Sequence, residues 1–182
     1  MTFHKTELDG VYLLEPKIFG DQRGYFLETF RRSHLDERGI ESIFVQDNIS
    51  LSQQGVVRGL HYQIGKAAQQ KLVRVVRGKI LDVAVDLRKD SPTFGNYTSA
   101  VLDDNTHRQL LIPKGFAHGF SVLSEEAMVC YKCSAYYNRE LERGIRWDDP
   151  SIGIDWQVSD PVISEKDSNQ PFLEEVSDED LF

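Results

Sequence analysis

This sequence predicts an all-β fold of the jelly-roll type, a β-sandwich or barrel closed around an interior, with a few short helices. Short strand-like segments recur from end to end, separated by Gly, Pro, Asn and Asp turn signals. Residues 79–87, KILDVAVDL, alternate with period two: Leu81, Val83, Val85 and Leu87 fall on one face, Asp82, Ala84 and Asp86 on the other. Helix-forming stretches are scarce. The 182 residues are read as a single domain spanning 1–182, with an acidic tail from about residue 172.

In chain order, the first element is a short helix over 33–39, with Ser33 as N-cap, Asp36 at the capping-box position and Gly39 as the stop. Strands are predicted over 42–49, 55–63, 71–77, 79–87, 97–102, 108–112, 119–123 and 128–137. Turns are predicted at Arg77-Gly78, Ser91-Pro92, Phe94-Gly95, Asp103-Asp104-Asn105 and Pro113-Lys114-Gly115. Residues 142–156 are dense in charge and aromatics and are read as an ordered loop. A second short helix is predicted over 164–167, capped by Ser164.

Composition narrows the function. The chain has 21 basic and 29 acidic residues, a net charge of −8. That acidity argues against a general nucleic-acid binder, which needs a basic face. Five of the acids lie in 174–180, so the body alone carries −3 and has room for a local basic site facing an anionic small molecule. No apolar run approaches the roughly 18 residues needed to span a bilayer, so no membrane association is expected. The start, MTFHKTELDG, has no apolar signal core, and with the two cysteines this predicts a cytoplasmic protein. Cys130 and Cys133 are spaced as a CxxC pair. Residues three apart on a strand face opposite sides, and no second CxxC or nearby His completes a zinc set, so they are read as packed thiols.

Polar residues interrupt the apolar strands at Gln46, Asn48, Gln63 and Lys71. Such groups are costly to bury unless partnered or useful. The stretch Arg58-Gly59-Leu60-His61-Tyr62-Gln63, followed by Lys71, therefore reads as the wall of a ligand pocket. Tyr131, Cys133, Ala135 and Tyr137 share a face by period two, which leaves room for a ligand between the two rings. Residues 113–118, Pro-Lys-Gly-Phe-Ala-His, match the second half-motif of cupin barrels, in which Pro and Gly make a turn and His118 enters the barrel. A metal cupin also needs His-x-His followed by Glu. Here the matching strand reads His61-Tyr62-Gln63, no Glu follows, and Lys71 adds a positive charge that would repel a cation. No metal and no cofactor are expected.

These blocks occur together with Phe19-Gly20-Asp21-Gln22-Arg23-Gly24-Tyr25-Phe26-Leu27-Glu28, Gln46-Asp47-Asn48-Ile49-Ser50, QQKLVRVVRGKILDVAVDLR, SPTFG, YKCSAYYNRELERGIRWDDP and Ser164-Glu165-Lys166-Asp167. From about residue 10 to residue 170 they resemble, in family order, the dTDP-4-dehydrorhamnose 3,5-epimerases of dTDP-L-rhamnose biosynthesis. The resemblance implies a cupin-like jelly roll, a homodimer, a dTDP-sugar as substrate, and no metal or organic cofactor. It implies inversion of carbons 3 and 5 of dTDP-4-dehydro-6-deoxy-D-glucose, with an epimerase acting at one of those carbons as the alternative. A metal-dependent cupin enzyme and a non-catalytic nucleotide-sugar binder are the other classes weighed. The first lacks His-x-His. The second has no need of His61, Tyr131 and Asp167, all of which are present.

The chemistry accounts for the residues. Each inverted carbon lies beside the ketone, so losing its proton gives an enolate. One group takes the proton, another returns it from the opposite face, and a cation or donor holds the enolate oxygen. By resemblance, His61 is the base, Asp167 orients it, Lys71 faces the enolate oxygen and Tyr131 is the acid. Arg23 and Arg58 match positions that hold the diphosphate. Glu28, Gln46, Asp47 and Asn48 match nucleotide and sugar contacts, and Tyr137, with Phe19, matches the place where thymine stacks. His118, Glu142 and Lys166 match further substrate contacts. Part of the segment 23–28 reaches the site from the dimer mate in family members. Simple alternation sends Arg58 and His61 to opposite faces; either a bulge at Gly59 resets the register, or one of the two assignments is wrong, or Arg58 acts from the strand end.

Overall fold

The computed structural model describes residues 1–41 and 43–182. Its strands are β1 (Thr2–Lys5), β2 (Tyr12–Glu15), β3 (Ile18–Asp21), β4 (Gly24–Leu27), β5 (Gln46–Gln53), β6 (Val57–Gln63), β7 (Lys71–Arg77), β8 (Lys79–Asp86), β9 (Tyr97–Asp103), β10 (Gln109–Ile112), β11 (Phe116–Val122), β12 (Glu126–Cys133) and β13 (Glu142–Gly144). The helices are α1 (Arg32–Asp36) and α2 (Glu165–Ser168). A six-stranded sheet, in the order β1-β2-β10-β7-β12-β5, faces a five-stranded sheet in the order β13-β6-β11-β8-β9, and β3-β4 form a separate hairpin. Neighbouring strands pair antiparallel throughout. The expected all-β jelly-roll sandwich is the architecture observed.

Three apolar clusters hold it together. Between the sheets lie Val73 and Val75 of β7, Val129 of β12, Ile80 of β8 and Phe120 and Val122 of β11. They fill one end of the sandwich and leave the other for polar groups. The second cluster is on the outer face of the five-stranded sheet. Leu81, Val83, Val85 and Leu87 point there, as their shared parity requires, and Ile145, Ile152, Trp156 and the C-terminal Leu173, Val176, Leu181 and Phe182 cover them. The polar face of β8 is thus the inward one: Asp82 lies inside the sandwich. The third cluster packs Leu35 of α1 on Leu14, Leu72 and Leu111 of the six-stranded sheet. Each of these buried aliphatic side chains contributes roughly 1.5–3 kcal/mol.

Some elements differ from the sequence reading. The strand expected over 42–49 begins at Ser42, which lies outside the described residues, and runs as β5 from Gln46 to Gln53. The strand expected over 128–137 stops at Cys133, so the parity argument linking Tyr137 to Tyr131 does not hold. Within the loop expected over 142–156, β13 adds to the edge of β6. Ser33 is not a cap. The helix starts at Arg32 after Arg31, whose side chain is held by Glu28, and no side chain caps its first turn. The helix ends at Asp36 with Glu37 as its C-cap, and Gly39, at φ +67°, closes the turn that follows, with Ile40 N bonded to Leu35 O. Ser164 caps α2 as expected, accepting from Asp167 N at 3.1 Å. β1 to β4 were not anticipated: each is four residues long and carries no clean alternation.

Candidate active site

A cavity of about 330 Å³ lies between the sheets. Arg58, His61 and Gln63 of β6, His118 of β11 and Glu142 of β13 line one wall. Gln46, Asn48 and Ser50 of β5, Lys71 of β7, and Tyr131 and Cys133 of β12 line the other. Tyr137 stands at the rim.

The register of β6 brings Arg58 and His61 to one wall. His61 lies opposite His118 and Arg58 opposite Phe120, so three steps on β6 match two on β11. The extra residue is a bulge at Gly59, whose φ is +135°, and of the three resolutions of the parity conflict it is the one observed. A Cβ there would stand 2.6 Å from Gly119 Cα and 3.0 Å from His118 O, so only glycine fits.

The sharpest polar contact is His61 Nε2 to Asp167 Oδ1, 2.6 Å. Asp167 comes from α2, behind the β6 wall, and its other oxygen accepts Gly59 N–H at 3.3 Å. Burial pushes the Asp167 carboxyl up, but the bonds from His61, Gly59 and Ser164 outweigh it and hold the group below the usual carboxylate range. Asp167 is therefore a carboxylate, His61 Nε2 carries the proton it accepts, and Nδ1 makes no protein hydrogen bond among the described residues.

A second pair, His118 Nε2 to Asp82 Oδ1 at 2.8 Å, lies wholly inside. Burial is the main cause that lowers the His118 pKa, which favours the neutral ring despite Asp82. Lys71 Nζ donates to His61 O at 3.4 Å, and burial lowers its ammonium pKa against the pull of Cys133, Asp82 and Glu142. Tyr131 sits on the facing sheet. Burial, then Cys133, raises its phenol pKa, so it carries its proton at neutral pH.

The remaining polar groups are held in place. Arg58 Nε donates to Ser52 Oγ at 2.9 Å. Gln46 accepts from Tyr137 N and donates to Asn48 Oδ1, 2.9 and 3.0 Å. Gln63 is committed at both ends to the backbone of Asn138. Glu142 accepts from Tyr137 OH at 3.0 Å and from Lys166 Nζ at 2.6 Å, which puts Lys166 at the rim. Cys133 faces the cavity, and Cys130 lies on the other side of β12 with Asp47 and Lys132. The two thiols are not joined, as the strand parity predicted. Among the described residues no group of three or more His, Cys, Asp or Glu side chains is placed to hold a metal ion.

Four expected contacts lie outside this cavity of their own chain. Asp47 points to the opposite face of β5 and pairs with Lys132 at 3.0 Å, because its parity is opposite to that of Gln46 and Asn48. Phe19 and Arg23 belong to the exposed β3–β4 hairpin, where Arg23 pairs with Asp21, and Glu28 is taken up by Arg31 and His34. Ser50, Ser52 and Asp82 were missed. Alternation in 46–52 did carry a signal, but its polar members face inward, against the usual rule for a half-exposed strand.

A family model described as dTDP-4-dehydrorhamnose 3,5-epimerase matches residues 5–175. A dTDP-4-dehydrorhamnose 3,5-epimerase from Methanothermobacter thermautotrophicus is 54% identical over 176 residues, 95% of each chain. One from Shigella flexneri is 52% identical over 176 residues, 96% of this chain and 97% of the relative. The crystal structure of a dTDP-6-deoxy-D-glucose-3,5-epimerase from Legionella pneumophila Philadelphia 1, in complex with dTDP-4-keto-L-rhamnose, superposes with a TM-score of 0.95 at 47% identity, covering 99% of this chain and 96% of that one.

Proposed function

This chain belongs to the dTDP-4-dehydrorhamnose 3,5-epimerase family, and from that premise we propose that it converts dTDP-4-dehydro-6-deoxy-D-glucose to dTDP-4-dehydro-L-rhamnose by inverting carbons 3 and 5. The observation that carries this reading is the placement of His61, backed by Asp167, on one sheet and Tyr131 on the facing sheet of a single cavity. Inversion beside a ketone needs a base on one face of the ring and an acid on the other. His61 Nδ1 takes the proton, Lys71 stabilises the enolate oxygen, and the Tyr131 phenol returns a proton from the far side. Arg58 binds the diphosphate. Tyr137, bonded to Glu142, offers its ring to thymine, and His118, Gln46, Asn48 and Lys166 complete the contacts. No metal or organic cofactor takes part, and chelator should leave activity intact.

We read residues 1–182 as one catalytic domain working in the cytoplasm as a homodimer. The β3–β4 hairpin supports the dimer. Phe19, Tyr25 and Phe26 on it are 52%, 60% and 71% exposed, and Ile49 on the outer face of edge strand β5 is 65% exposed. A second copy covering these faces would carry Phe19, Arg23 and Glu28 to its partner's cavity.

Turnover in deuterated water tests the chemistry: deuterium at both carbon 3 and carbon 5 of the product is expected, and label at one carbon alone would make the enzyme a single-position epimerase. Mixing inactive Arg23→Ala with inactive His61→Asn protein tests the shared site. Partial recovery of activity is expected if each cavity uses a hairpin from the other chain.

A further inference from the structure

The acidic segment 174–180 is used by none of the chemistry above, yet it is tied to the cavity wall from behind. Asp180 Oδ1 lies 2.8 Å from Arg143 Nε. Arg143 Nη1 in turn donates to the carbonyls of Glu140 and Glu142, 2.9 Å each. β13 is the three-residue edge of its sheet, so the Glu142 carbonyl has no further strand to pair with, and Glu140 belongs to the turn that leads into it. Arg143 takes the place of that strand, and Asp180 fixes Arg143.

The segment is anchored independently. Lys89 N donates to Phe182 O at 2.8 Å, Lys89 Nζ to Asp178 O at 2.8 Å, and Phe182 N to Leu87 O at 3.2 Å. The Phe182 ring packs 6.1 Å, centroid to centroid, from Tyr62, the residue paired with Arg143 across β6 and β13. On the inner side, one residue away, Glu142 holds Tyr137 OH and Lys166. Adjacent strand residues face opposite sides, so the backbone of 142–143 links the outer ion pair to the inner wall.

We propose that Asp180 is a positioning residue for the nucleoside end of the cavity, acting through Arg143 on the Glu142–Tyr137 wall. This rests on the reading of the cavity as a dTDP-sugar site. Its effect falls on binding and not on proton transfer, because the His61 ring is held by Asp167, Lys71 by the His61 carbonyl, and Tyr131 stands on the facing sheet.

Calorimetric titration of the full chain with dTDP, alongside steady-state kinetics, tests it. Asp180→Ala should weaken dTDP about 2- to 5-fold, the size of one partly exposed ion pair, with kcat changed by less than about 2-fold. Asp180→Asn keeps the acceptor oxygen and should bind dTDP almost as the wild type does. Arg143→Ala should weaken dTDP too, and the double variant should be no weaker than the weaker single one. The pair is roughly one-third exposed, at 34% and 28%, so these variants should fold. Unchanged dTDP affinity in Asp180→Ala would overturn the proposal, as would parallel losses of affinity, kcat and Tm, which mark general loosening. Failure of the wild type itself to bind dTDP would overturn the underlying reading, and is seen before any variant is made.

Discussion

His61 Nε2 and Asp167 Oδ1 stand 2.6 Å apart although 106 positions separate them in the chain. The contact depends on two local devices. The bulge at Gly59 turns His61 to the cavity, and the Ser164 cap starts the turn of helix that presents Asp167. With the carboxylate on Nε2, the ring offers Nδ1 to the substrate. His61→Asn should therefore lose both solvent exchange and inversion, by about 10²–10⁴-fold or more. Asp167→Ala should lose less, since it misorients the base without deleting it. Proton NMR of the sugar in deuterated water, on variants with wild-type circular dichroism, measures both. Asp167→Ala losing more than His61→Asn would remove the dyad from the mechanism.

Tyr131→Phe should separate the two half-steps. The enolate still forms over His61, and it collapses back with a proton returned from the same side. Deuterium should thus enter recovered substrate at carbon 3 or 5 with little inversion. Burial keeps the phenol protonated, which is the state an acid requires. A Tyr131→Phe protein that neither exchanges nor inverts, beside a His61→Asn protein that still exchanges, would reverse the two roles.

Arg58 is held through Nε by the buried hydroxyl of Ser52. That bond uses one edge of the guanidinium and leaves its terminal nitrogens for an anion. Arg58→Ala should weaken dTDP about 10- to 150-fold, the range of a charged hydrogen bond worth roughly 1.5–3 kcal/mol. Ser52→Ala should weaken it by a smaller factor, and Ser52→Thr should restore the affinity. Equal dTDP binding by folded Arg58→Ala protein would take Arg58 out of the diphosphate site.

How much of this was legible in the sequence depended on the kind of signal. The alternation of 79–87 placed Leu81, Val83, Val85 and Leu87 on one face correctly, because side-chain direction on a strand is a local property. Which face looks inward was not local: it depends on the C-terminal segment that covers those side chains. The bulge at Gly59 was legible only as one of three resolutions, because two residues of one function had opposite parity and the register of β6 against β11 was needed to choose among them. Asp82 was not, because a carboxylate on a strand reads as a solvent-facing residue unless its partner is known, and His118 lies on another strand. The hairpin of Phe19 and Arg23 gave motif but no geometry, since in its own chain it stands exposed and away from the cavity.

Asp86 makes the stability of the turn into β9 depend on pH. It sits at the end of β8 and accepts from Arg88 Nε and Nη2 at 2.8 Å each, from Ser91 Oγ at 2.6 Å and from Thr93 Oγ1 at 2.7 Å, so it pins the turn into β9. Burial pushes its pKa up, but these bonds outweigh burial and bring it from 3.8 to about 2. A depressed folded-state value means that the charged form favours the fold. Its contribution is fully present above the unfolded value near 4 and is lost as pH falls toward about 2. Asp86→Ala strands the half-buried Arg88 and should cost about 3 kcal/mol at pH 7, a fall in Tm of roughly 6–12 °C for a chain of this size. Asp86→Asn keeps the acceptor and should cost less. Scanning calorimetry at stepped pH checks the sign: the wild-type advantage over Asp86→Asn should hold from pH 7 down to about 4 and shrink below it. A gap that stays constant down to pH 2, or grows there, would mean that packing of the turn and not the Asp86 charge carries the stability.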